Sequence, residues 1–147
     1  MGWMDVLTRY RNSPDTIPPT VNDDFDSIAR EVPRHELSEG LEEAFRSEQT
    51  PPFEQMVRQL FERSDPDQRA GALNRIRESL GRREVTPDEA RDVDPGEVES
   101  LAAQAERNNP SIMHRIAQFY ADHPQIVQVL GQAALGIAMN RMAMRRR

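Results

Sequence analysis

At 147 residues, with 37% hydrophobic and 30% charged side chains, the chain suits a single domain that buries about 68 to 70% of the surface its unfolded form exposes. A mean hydropathy of -0.77 confines the core to narrow apolar stripes on otherwise solvated helices. The absence of cysteine excludes disulfides and thiolate chemistry, and a net charge of -6 argues against general nucleic-acid binding, which needs a basic face.

Charge is unevenly spread. Residues 1 to 50 hold 11 acidic and 5 basic side chains, residues 51 to 110 hold 13 and 9, and residues 111 to 147 hold 1 and 5. All the basic residues are arginine. No amino-terminal stretch joins a basic region to an apolar run long enough for secretion, so the expected compartment is the cytoplasm.

In chain order, residues 1–12 place Trp3, Leu7 and Tyr10 at helical spacing, with Val6 beside them and Arg9 and Arg11 outward, which predicts an amphipathic helix. It stops at Asn12-Ser13-Pro14, and Pro14, Pro18 and Pro19 make residues 13–21 a non-helical linker. A helical domain over 22–147 follows. Phe25, Ile28, Ala29 and Val32 form one stripe, and Leu37, Leu41, Ala44 and Phe45 form the next after Pro33. Asp23-Asp24 and Glu42-Glu43 read as first-turn carboxylates and solvated helix faces.

From residue 50 onward a hydrogen-bond acceptor repeatedly precedes proline: Thr50-Pro51, Asp65-Pro66, Thr86-Pro87, Asp94-Pro95 and Asn109-Pro110, with His123-Pro124 as a looser case. The residue before proline is pushed out of the α region, and proline at the first helical position loses no useful donor. Each pair therefore predicts a helix start. Glu89 and Glu97 add capping-box patterns after Thr86 and Asp94, and Gly81 reads as a helix stop. The whole predicts an all-α, compact bundle of about seven to nine short helices with no strand.

Residues 125–147 read as an apolar closing helix with a basic tail. Gln125, Gln128, Gln132, Gly136 and Asn140 share one narrow face at 100° per residue, and nearly everything else is apolar. So wide an apolar arc belongs in the core, in an oligomer interface or on a membrane surface. The small residues Gly131, Ala134, Gly136 and Ala138 permit close helix contact. Spanning a membrane is disfavoured by Gln128, Gln132, Asn140 and Arg141 within the run.

Nothing in the sequence points to catalysis, a cofactor or a metal. His35, His114 and His123 form no His-Glu-x-x-His pair, and no Gly-x-Ser-x-Gly elbow is present. An acidic run at Asp92, Asp94 and Gly96 fails as a calcium loop, because Glu97 and Ala103 occupy the positions that require glycine and glutamate. Arg75, Arg77, Arg82 and Arg83 are matched by Glu78 and Glu84, as on a salt-bridged surface.

Two runs carry a resemblance: Phe45-Arg46-Ser47-Glu48-Gln49-Thr50-Pro51-Pro52-Phe53 through Ala70-Gly71-Ala72-Leu73-Asn74, and Asn109-Pro110-Ser111 through Phe119-Tyr120-Ala121-Asp122-His123-Pro124. Over roughly residues 22 to 144 the chain resembles a group of small bacterial all-helical proteins to which no activity attaches. The resemblance implies a bacterial, soluble, helical protein and leaves the first helix and its linker outside.

The expected function is that of a non-enzymatic interaction or scaffold protein, a homo-oligomer or the binder of another protein. Its expected interface is Trp3, Leu7 and Tyr10 with Val127, Leu130, Ala134, Ile137, Ala138 and Met142. The alternative is a peripheral membrane protein held by the closing helix, with Arg141, Arg145, Arg146 and Arg147 against an anionic surface.

Overall fold

The computed structural model describes residues 3–12 and 17–145. Ten α-helices and one 3-10 turn occur among them, and no strand. In order they are α1 (Trp3–Asn12), α2 (Val21–Glu31), α3 (Arg34–Arg46), α4 (Phe53–Glu62), α5 (Pro66–Ser79), α6 (Pro87–Arg91), α7 (Pro95–Asn108), α8 (Ile112–Ala121), α9 (Pro124–Val127), the turn Gln128–Leu130, and α10 (Gln132–Arg145). The fold is the all-α bundle that the apolar stripes predict.

Two of the acceptor-proline pairs start helices by full capping boxes. Asp65 accepts from the Gln68 amide at 2.8 Å while the Gln68 side chain accepts from the Asp65 amide at 2.9 Å. Thr86 and Glu89 make the same reciprocal pair. Asp94 caps α7 by accepting from Gly96, without the return bond from Glu97. Gly81, at φ +71°, ends α5 in a Schellman arrangement, with the amide of Arg82 bonded to the carbonyl of Arg77 and that of Gly81 to Glu78.

The other pairs act differently. Thr50 donates its hydroxyl back to the carbonyls of Ala44 and Ser47 at the end of α3, and α4 begins only at Phe53. Asn109 accepts from the amide and hydroxyl of Ser111, a local turn that delays α8 to Ile112. Pro124 opens a single turn whose preceding His123 makes no side-chain cap.

The closing helix is not continuous. After the 3-10 turn, Gly131 takes φ +91°, a backbone that a side chain rarely adopts, and α10 starts afresh at Gln132. This break turns α10 inward. It packs along α3, with further contacts to α1 and α2, while α3 also packs on α8. Gly40 makes the α3–α10 approach close, because a Cβ there would lie 2.8 Å from the Ala138 carbonyl oxygen. The second half pairs α4 with α7 and sets α5 against α6, α7 and α8.

One apolar core joins the two groups, from Val6 and Leu7 of α1 to Leu135 and Met139 of α10. Polar clasps hold the seams. Arg69 donates to the carbonyls of Phe61, Ser64 and Arg91, tying the end of α4 to α6, and lies over the Phe61 ring at 4.8 Å. Arg34 donates to the last carbonyl of α8, that of Ala121, at 2.8 Å. A guanidinium there complements the negative end of the helix.

Candidate interaction surface

The residues expected at an interface divide once folded. Val127, Leu130, Ala134, Ala138 and Met142 are buried, and Ile137 is half-buried against the same core. Side chains already out of water in one chain have no apolar area left to give a partner or a bilayer. Within the single chain they lie in the core, the first of the three places that the wide apolar arc allowed. Among the described residues no helix is long and apolar enough to cross a membrane.

The basic tail is partly spoken for as well. Arg145 contacts the carboxylate of Glu39 through Nη1 and that of buried Glu36 through Nε at 3.5 Å, which fastens the end of α10 to α3. Arg141 is exposed, and Arg146 and Arg147 lie outside the described residues.

At the other end, Leu7 and Tyr10 are buried and Trp3 is half-buried, all three against the chain's own core. Docking of α1 centres on Asp24. Its carboxylate accepts from the Tyr10 hydroxyl at 2.8 Å and the Thr20 hydroxyl at 3.0 Å, and Arg9 stands 3.5 Å away. Burial, then the neighbouring carboxylate, pushes the Tyr10 hydroxyl pKa well above its ordinary value, so it remains a donor at any working pH. Asn140 of α10 donates to the Tyr10 carbonyl at 3.4 Å, and Ile17 lies against Gly136. Read as a first-turn carboxylate, Asp24 gave no hint of this role, because only the fold brings Tyr10 to it.

Docking leaves a seam incompletely filled. A cleft of about 220 Å³ runs between α1 and α10, lined by Met4, Leu7, Thr8, Arg11 and Ala143. Met4 at its rim is 53% exposed, and Met144, next to Ala143, is 36% exposed. These are two of the three large apolar side chains most exposed among the described residues, Ile17 being the third. Methionine adapts its shape to irregular partners, which suits it to such an edge. The signal in the sequence was Met4 itself, an apolar side chain one position off the Trp3-Leu7-Tyr10 stripe on a face otherwise polar.

Elsewhere the polar groups serve the fold. His114 of α8 donates from Nδ1 to Glu42 of α3 at 2.7 Å, and Arg46 bonds the same carboxylate at 2.9 Å. Burial works to raise the Glu42 pKa, but the bonds from His114 and Arg46 outweigh it and hold the group below its ordinary range. His35 lies exposed on the first turn of α3, and His123 sits against the Phe119 ring with Nδ1 3.4 Å from Gln68. No three metal-ligating side chains are grouped among the described residues. Arg75 stacks on Phe119 at 4.6 Å, and Arg83 pairs with Glu89.

A second cleft of about 410 Å³ opens between Phe45, Arg46, Phe53, Glu54, Glu106 and Met113. Both phenylalanine rings are buried there, 5.2 Å apart edge to face, so it offers mainly a polar rim. No family model, curated protein or solved structure matches the chain.

Proposed function

We propose that this is a non-enzymatic helical interaction protein of the cytoplasm, and that its partner, a second copy or another protein, docks on the edge formed by α1 and α10. The observation that carries this reading is the pairing of an unfilled cleft with Met4 exposed at its rim and Met144 exposed beside it. An apolar cleft rimmed by polar side chains is where a protein contact gains most from excluding water. α10 serves as the wall that positions the edge, and α1 as the face it presents.

Site-specific photocrosslinking in the native cell tests the reading. A photoreactive side chain at position 4 of the full chain is expected to yield discrete protein adducts, while the same group at exposed position 118 on α8 yields none above background. Absence of any discrete adduct from position 4 sinks it. The mass of the adduct tells a second copy from another protein.

A further inference from the structure

Methionine supplies all the sulfur in this chain, which has seven of them and no cysteine. The six that are described fall into two sets. Met56 and Met139 are fully buried, and Met113 and Met142 are no more than 7% exposed, all four within the core. Met4 and Met144 are exposed, and both belong to the α1–α10 edge. Met4 lines the cleft from α1, and Met144 directly follows Ala143, which lines it from α10.

A peroxide oxidises a thioether by direct contact. The sulfur lone pair takes the distal oxygen: an S–O bond forms, the O–O bond breaks, and the departing hydroxide takes up the proton of the transferred oxygen and leaves as water. Sulfur is oxidised to the sulfoxide and the peroxide is reduced. The step needs an open sulfur, so a buried methionine reacts only when the packing around it opens.

We propose that Met4 and Met144 are an oxidation site, converted to sulfoxides by peroxide while the four core methionines stay thioethers, and that this change weakens docking at the α1–α10 edge. The effect on docking rests on the reading of that edge as an interaction surface; the site itself does not. A sulfoxide replaces a flexible apolar tip with a polar one. A partner that gains from excluding water at an apolar rim would have to strip water from that group without a hydrogen bond in return. The core keeps its own methionines unmodified, so the fold survives a change confined to its margin.

Hydrogen peroxide is added to the full chain and each methionine is followed by peptide mass mapping with fragmentation. Met4 and Met144 are expected to oxidise at least about tenfold faster than Met56, Met113, Met139 and Met142. Circular dichroism stays unchanged while the first two react, and in denaturant the rates converge. A core methionine that reacts as fast as Met4, either edge methionine reacting at the core rate, or helix lost with the first oxygens overturns the site. A photoreactive group at position 8 of the full chain, beside the cleft, reads the effect on docking in the native cell and leaves both methionines in place. Peroxide is expected to reduce its protein adduct by at least about half, whereas a chain carrying Met4→Leu and Met144→Leu keeps the adduct. An equal loss in that double variant, or no loss once both methionines are oxidised, overturns the effect on docking. If position 8 yields no adduct before peroxide is added, the reading of the edge as an interaction surface falls and takes that effect with it, while the oxidation site is decided by the rates alone.

Discussion

α1 carries a narrow apolar stripe and α10 a wide apolar arc, and the two meet different fates in the fold. α10 is enclosed by α3, α1 and α2, and Leu135 and Met139 on it lose all contact with water. α1 lies at the margin, touching α10 and α2, with a cleft behind it and Met4 outside. The difference lies in how many sides are covered. An apolar stripe says that burial is needed but not what supplies it, and in α10 the chain supplies nearly all of it, Met144 at the end excepted, while in α1 Met4 and the cleft are left over.

Truncation at the centre of each helix tests that contrast most strongly. Leu135→Ala should cost about 4 kcal/mol, because the sealed site leaves a cavity that its neighbours fill only in part. Leu7→Ala should cost only about 2 kcal/mol, because the space it vacates opens into an existing cleft that water enters. Urea unfolding followed by circular dichroism measures both; equal losses would mean that the α1 edge is as tightly packed as the centre.

Two glycines sharpen the same comparison at smaller amplitude. A Cβ on Gly40 would meet the backbone oxygen of Ala138 at 2.8 Å and its Cα at 3.3 Å, atoms that cannot move unless α3 and α10 separate. Gly40→Ala should therefore destabilise by about 2 kcal/mol in spite of alanine's better helix propensity. The nearest atoms that a Cβ on Gly136 would meet belong to the side chain of Ile17, itself 41% exposed and able to turn aside. Gly136→Ala should be neutral or stabilise by up to about 1 kcal/mol. Thermal melts of the two variants moving in opposite directions would place the rigid contact between α3 and α10 and the yielding one at the α1 side.

The sequence made the fold legible wherever the deciding contacts are local. Asp65, Thr86 and Gly81 each act on backbone within one turn of themselves, so the pattern and the geometry coincide. Thr50 and Asn109 fit the same pattern, yet each found a nearer partner: the end of the previous helix for one, the following serine for the other. Gly131 looked like a small contact residue in a long helix, and its positive φ instead ends one segment before the next begins. The α1–α10 edge was half legible. The stripes marked both helices as apolar, but the buried clasp on Asp24, the ion pairs of Arg145 and the cleft beside Met4 all depend on residues far apart in the chain.

The smallest expected effect concerns the α3–α8 seam, which a polar clasp of His114 and Arg46 on Glu42 closes. Glu42 has its folded pKa below the ordinary value through the bonds from His114 and Arg46, against the opposing effect of burial. A depressed carboxylate contributes stability that is fully present above its unfolded pKa of about 4.3 and is lost as pH falls through the folded value. His114→Ala removes one of the two donors and should move the Glu42 titration upward, toward its ordinary range, as followed by NMR of the side-chain carboxyl. The variant should be less stable than the parent above about pH 5, and the Glu42 contribution to the gap should fade toward the acid end, where the carboxyl is protonated in both. An unmoved Glu42 titration would mean that Arg46 alone holds the carboxylate, leaving α8 fixed at this seam by packing.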